Sequence, residues 1–175
     1  MFLDIIFQIW RRFSGSMQWR LLWLFNSKFM VSVAGIVYDK NDHILLQRHR
    51  HWVPDVWGLP GGIVKSGEIL EKAFSREVLE ETGLVIANIE MIRLVSGYDL
   101  RMEVYFRAKL AKSHNEQIIK IQEEEIIEAR FFSLDELPSS ILQLQKELIQ
   151  QENGTAKKMQ QNEIAQSRTG FSRKL

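Results

Sequence analysis

Apolar residues open the chain at helical spacing. Phe2, Ile6, Ile9, Trp10, Phe13 and Met17 recur at three- and four-residue steps, which predicts an amphipathic helix. Gly15 is expected to break it, and a second short helix is predicted over 18–25. From residue 28 the pattern changes. FMVSVAGIVY (29–38) is rich in Val and predicts a buried strand, Asp39-Lys40-Asn41-Asp42 a turn, and HILLQR (43–48) the returning strand of a hairpin. A loop carrying Pro54, Gly58, Pro60, Gly61 and Gly62 follows. A helix is predicted over 69–82, with Leu70, Ala73, Phe74 and Val78 on its inner face and Gly83 as its stop. Strands are predicted over 85–96, 101–110 and 128–132, then a turn at LDELP (134–138) and a helix to about residue 151.

Strands interleaved with one central and one terminal helix predict an α+β fold, an α/β/α sandwich on a mixed sheet. The expected division is a helical extension over 1–28, a domain over 29–138 and a terminal helix over 139–151. Beyond it the chain is rich in Gln, Lys, Asn and Ser and poor in large apolar side chains. Disorder is expected over 152–175.

Composition narrows this picture at two points. A formal net charge of +1 over 175 residues gives no electrostatic case for nucleic acid or an acidic partner. The absence of cysteine excludes a disulfide framework, a thiolate metal site and a cysteine nucleophile. It also fits a reducing cytoplasm, the expected location. The aromatic start is no membrane span, because Asp4, Gln8, Arg11, Arg12, Gln18 and Arg20 interrupt it before the roughly 20 apolar residues a crossing needs. Nor does it read as a signal peptide, since positive charge follows the apolar run. Its aromatics are expected to pack on the chain's own domain or across a homodimer. Peripheral membrane contact through 1–25, with Arg11 and Arg12 at the headgroups, is the less favoured reading.

The chemistry concentrates in GIVKSGEILEKAFSREVLEETGL (62–84). On a helix, Glu77, Glu80 and Glu81 stand at i, i+3 and i+4, so their carboxylates share a face. Three negative charges there destabilise a helix unless something neutralises them, and a hard divalent cation with oxygen ligands does so. Arg76 can pair with a neighbouring carboxylate and hold its rotamer. Gly61 and Gly62 allow close backbone approach, and Glu68 reaches back toward the same place. An ordinary solvated Glu-rich face is the competing reading.

The segment resembles the Nudix box: G, five residues, E, seven residues, R-E-U-x-E-E-x-G-U, where U is a bulky aliphatic. The fixed positions are Gly62, Glu68, Arg76, Glu77, Glu80, Glu81 and Gly83, with Val78 and Leu84 at the aliphatic places. WGLPGG (57–62), LLQR (45–48) and EARFFS followed by LDEL (128–137) resemble the family's flanking patterns, so the resemblance covers about 29–138. It implies a pyrophosphohydrolase acting on a small nucleotide substrate, a nucleoside diphosphate linked to another group. It further implies Mg²⁺ (Mn²⁺ as substitute) held by Glu77, Glu80 and Glu81 with Glu68 in support, and water attacking phosphorus without a covalent intermediate. The family's general base varies: here Glu77, or a loop glutamate, of which Glu125 in Glu123-Glu124-Glu125 is chosen. Arg48 and Arg50 leave a strand beside the approach loop and are candidates for phosphate contact. Tyr98 is a candidate for stacking on a base. His49 and His51 read as loop residues rather than ligands. The features that mark NADH pyrophosphatases, coenzyme A hydrolases and many ADP-ribose pyrophosphatases are absent, which leaves ADP-ribose-like compounds, nucleotide sugars and nucleoside triphosphates open. Alternative readings are a weakly catalytic binding module on the same fold and a membrane-associated role for the N-terminal helices.

Overall fold

A computed structural model describes residues 2–51, 53–98, 100–111 and 118–154, apart from the side chains of residues 2, 3, 5, 6, 97 and 98. Of the tail expected to be disordered over 152–175, residues 152–154 continue the terminal helix, and the part from 155 on lies outside the described residues, as does Trp52. Two helices, α1 (Phe2–Arg12) and α2 (Gly15–Phe25), precede the sheet. Gly15 opens α2 instead of merely ending α1, because the Ser14 hydroxyl before it accepts the Met17 N–H as an N-cap.

The strands are β1 (Met30–Tyr38), β2 (Ile44–His49), β3 (Trp57–Gly58), β4 (Gly61–Ile63), β5 (Ile86–Tyr98), β6 (Arg101–Leu110) and β7 (Ile126–Phe132). They form one sheet with the path β3-β2-β1-β6-β5, to which β4 adds on β1 and β7 on β2. All pairings are antiparallel except β1 with β6, which run parallel from Met30 opposite Arg101 to Tyr38 opposite Lys109. The expected hairpin, mixed sheet and α/β/α layering are all present. The short strands β3 and β4 lie in the segment read as a loop. With only two and three residues they are too short to show a period.

Alternation along β1 sorts two cores. Val33 and Val37 face helix α3 (Leu70–Thr82), joining Leu45, Phe74, Val78, Leu84 and Phe106. Ala34 and Ile36 face the opposite way, toward Leu46, Trp57, Leu59, Tyr105, Ile141, Leu148 and Ile149, the last two on a helix over 143–154. This period-two sorting places one helix on each face of the sheet. Phe74 stacks on Phe106 with ring centroids 5.4 Å apart. Each such buried side chain contributes roughly 1.5–3 kcal/mol, which fixes the rotation of α3 about its axis. Gly83 ends the helix in the left-handed region at φ 71°, as predicted.

Candidate active site

With Ala73, Phe74 and Val78 turned into the core, α3 turns Glu77 and Glu80 toward the mouth of the sheet beside β4. Glu81 turns further inward than the simple face predicted and is only 2% exposed. Its Oε2 accepts the Gly61 N–H at 3.0 Å. Burial pushes its pKa up to about 8, opposed by the Gln47 amide and the Gly61 N–H and reinforced by the charges of Glu77 and Glu125. Gln47, itself fully buried on β2, faces this carboxylate, yet neither its Oε1 nor its Nε2 completes a hydrogen bond of good geometry.

Arg76 holds the rest. Its Nε and Nη2 donate to the two oxygens of Glu68 at 2.8 and 2.9 Å, and its Nη1 donates to Glu77 at 2.7 Å and Glu80 at 2.9 Å. The guanidinium fork matches a carboxylate in a way a single ammonium cannot. It draws the Glu68 pKa down to about 2, helped by the Lys65 N–H on the same carboxylate. Glu77 shifts the other way: burial raises its pKa despite the Arg76 contact. Close approach of β4 is needed here, since a Cβ on Gly62 would lie 2.5 Å from the Glu77 carboxyl carbon.

Glu77, Glu80, Glu81 and Glu125 line a cavity of about 560 Å³, with Lys65, Arg76 and Arg101 as its basic side chains. Glu125 comes from 44 positions beyond Glu81, and the fold brings it to the same wall, half-exposed at 49%. Its carboxylate lies 3.8 Å from Nε2 of His49. The Nδ1 of His49 accepts the His51 N–H at 3.3 Å, which leaves the ring proton on Nε2 facing Glu125. Burial lowers the His49 pKa.

Neither arginine singled out for phosphate contact lines this cavity. Arg48 is engaged by Asp55 at 2.9 Å and Glu128 at 2.7 Å, and lies over the Trp57 ring. Arg50 donates twice to the Glu123 carbonyl, and its N–H bonds the Glu125 carbonyl. Arg50 therefore shapes the turn that presents Glu125. The reason for Arg48 is the alternation along β2, which turns Gln47 and His49 toward the site and Arg48 to the other face, against Asp55 and the β7 residue Glu128. Tyr98 ends β5, but its side chain lies outside the described residues. Sequence reasoning missed Arg101, Gln47 and the place of His49. The parallel register of β1 and β6 delivers Arg101, and no local pattern marks that pairing.

A second cavity of about 640 Å³ adjoins the first, with Gly61, Gly62 and Arg101 lining both. Val53, Val56, Leu59 and Leu142 supply apolar wall, and Glu103, Tyr105 and Gln145 polar groups. The Glu103 carboxylate accepts from Arg101 at 3.1 Å and from the Tyr105 hydroxyl at 2.7 Å. Gln145 is buried, and its Oε1 accepts the Leu59 N–H at 2.7 Å, so its amide hydrogens are left to donate.

The donor set around the first cavity fits a hard divalent cation. It offers carboxylate oxygens, no thiolate, a buried carboxylate whose charge burial opposes, and an unsatisfied buried amide beside it. As placed, no three described acidic or histidine side chains are close enough together to hold one ion. Arg76, bonded at once to Glu68, Glu77 and Glu80, stands between them.

The family model for the NUDIX domain matches residues 28–152. The chain is 35% identical over 104 residues to an NAD-capped RNA hydrolase, NudC, of Pseudomonas aeruginosa, covering 59% of this chain and 36% of that protein. It is 35% identical over 80 residues to an 8-oxo-dGTP diphosphatase of Buchnera aphidicola, covering 45% of this chain and 62% of that one. The chain thus spans about a third of the NudC protein's length and less than two-thirds of the diphosphatase's. Among solved structures, the NUDIX domain of Shewanella oneidensis NrtR, complexed with ADP ribose, superposes with a TM-score of 0.59 at 19% identity, covering 83% of this chain and 95% of that one. A NUDIX hydrolase from Nitrosomonas europaea gives 0.56 at 25% identity, covering 70% and 68%.

Proposed function

The chain belongs to the Nudix family, and from that premise we propose that it is a pyrophosphohydrolase opening a phosphoanhydride in a nucleoside diphosphate linked to another group. The observation that carries this reading is the pair of adjoining cavities, one lined by four carboxylates and one largely apolar, with Gly61, Gly62 and Arg101 common to both. In it the phosphates lie among the carboxylates and the nucleoside in the apolar cavity. Glu103 as acceptor and Gln145 as donor suit a base edge that presents both kinds of group.

Glu77, Glu80 and Glu81 would hold the divalent cation, Mg²⁺ first and Mn²⁺ as substitute. When bound, the cation neutralises phosphate charge and makes water more acidic. The protein's own groups do the rest. Arg76 holds Glu77 and Glu80 in place and is itself held by Glu68, so Glu68 serves the site through Arg76. Gly61 pins Glu81 through its N–H. Lys65 and Arg101 face the cavity and meet phosphate oxygens. We assign the base to Glu125, because Arg76 restrains Glu77 while Glu125 stands half-exposed on the wall. Water attacks one phosphorus in line, its proton passes to Glu125, and the bond from that phosphorus to the bridging oxygen breaks as the second phosphate leaves. No side chain acts as a nucleophile, so positioning and charge stabilisation supply the rate.

The test is a panel of nucleoside diphosphate derivatives with Mg²⁺ in ¹⁸O-labelled water, with mass analysis of both products. One product phosphate should carry one heavy oxygen. Label on a sugar or acyl carbon, or a trapped phosphoryl-enzyme, would remove this mechanism.

A further inference from the structure

The aromatic start of the chain does not pack on the domain as expected. No residue of α2 is buried, and Trp19, Trp23 and Phe25 are 74%, 67% and 80% exposed. Phe7, Ile9, Phe13, Leu22 and Leu24 are exposed as well, and Phe29 and Met30 continue the patch to the rim of the carboxylate cavity. Apart from Ser16, Gln18 and Arg20 the side chains of α2 are apolar, and such a helix needs cover; a patch this extended marks an interaction surface.

Charge says what covers it. Residues 1–30 carry Arg11, Arg12, Arg20 and Lys28 against Asp4 alone, in a chain of net charge +1, so the remainder is net negative. A self-complementary dimer would set this basic segment against its own copy, like charge on like charge. An anionic lipid surface attracts it. The helices suit that role. Eleven residues of α1 extend only about 16 Å, and no described helix is long and apolar enough to cross a membrane. The two helices are tied by the Gln18 amide, which donates to the Trp10 carbonyl at 2.9 Å. The Lys28 ammonium lies 4.6 Å from the Trp23 ring centroid, a cation beside an interfacial aromatic.

We propose that α1 and α2 form an in-plane docking surface for an anionic phospholipid bilayer, with Trp19, Trp23 and Phe25 entering the headgroup layer and Arg11, Arg12, Arg20 and Lys28 meeting lipid phosphates. Because Met30 belongs to both patch and cavity rim, docking sets the mouth of the site close to the membrane plane.

The test uses the full chain with phosphatidylcholine vesicles, with and without about 30 mol% phosphatidylglycerol. The protein should co-sediment with the anionic vesicles only, and less so as salt rises from about 0.05 to about 0.5 M. The pair Trp19→Ser and Trp23→Ser should lower partitioning at least about tenfold. Arg11→Gln and Arg12→Gln should each lower it about fivefold. All three variants should keep wild-type hydrolysis in solution, which shows that they fold. Failure of the wild type to bind anionic vesicles would overturn the proposal. So would a dimer in light scattering that the tryptophan substitutions dissolve.

Discussion

Helix α3 and the helix pair α1–α2 invert the usual link between composition and burial. α3 carries Glu71, Glu77, Glu80 and Glu81 among 13 residues, yet buries Ala73, Phe74, Val78, Glu81 and Thr82. α2 has six aromatic or large aliphatic side chains in its last seven residues and buries none. The difference is the presence of a matching surface. β1 and β6 offer α3 a row of Val33, Val37, Val104 and Phe106, whereas no described strand or helix packs extensively against α1 or α2. Hydrophobicity says what a segment would gain by burial, and only the rest of the fold says whether the gain is available. The acidic helix is therefore the rigid one, and its carboxylates inherit that rigidity.

Breaking the chemistry of α3 should have the largest effect. Glu80→Gln should cut turnover at saturating Mg²⁺ by about three orders of magnitude or more, while the melting temperature stays close to wild type because Glu80 is exposed at the helix surface. Retention of most activity would mean that the cation is held elsewhere. Next comes the packing beneath it: Phe74→Ala should cost about 3–5 kcal/mol in denaturant unfolding. Trp19→Ala should change stability by no more than about 0.5 kcal/mol. Equal costs at the two positions would erase the comparison.

A smaller effect follows from Glu81. Its folded pKa lies near 8, above the ordinary 4.5, so between those values the folded state holds a proton that the unfolded state has released. Stability of the chelator-treated protein should therefore fall as pH rises from about 4.5 to 8 and then level off. Glu81→Gln should flatten that slope, by a few kcal/mol at most across the window, and added Mg²⁺ should flatten it in the wild type. A pH-independent melting curve for the metal-free wild type would contradict the burial of this carboxylate. Arg76→Lys tests the positioning role. Losing the fork should lower kcat about tenfold with little change in KM, read from steady-state kinetics; a KM effect alone would show that Arg76 binds substrate instead of positioning Glu77 and Glu80.

Much of the fold was legible because its signals are local. The Val-rich run 29–38 reports a buried strand, and the structure buries 32–37 on both faces; the three-to-four spacing of Leu70, Ala73, Phe74 and Val78 reports a helix face, and the structure turns that face inward. Gly83 marks the helix end by its own backbone conformation. The spacing of Glu68, Arg76, Glu77, Glu80 and Glu81 likewise gathers them on one helix and the turn before it, and Arg76 does bind three of those carboxylates.

The rest depended on contacts between distant parts of the chain. That Arg48 is taken by Asp55 and Glu128, and is lost to the site, follows from β2 pairing with β7. That Arg101 reaches the site follows from β1 and β6 running parallel over nine residues, and Glu125 arrives on a turn held by Arg50. Exposure of the N-terminal aromatics is of the same kind, since burial belongs to a pair of surfaces and a sequence window contains only one of them. Spacing along the chain determined which residues travel together on one element; strand pairing and packing, which join residues far apart in sequence, decided which of those elements meet.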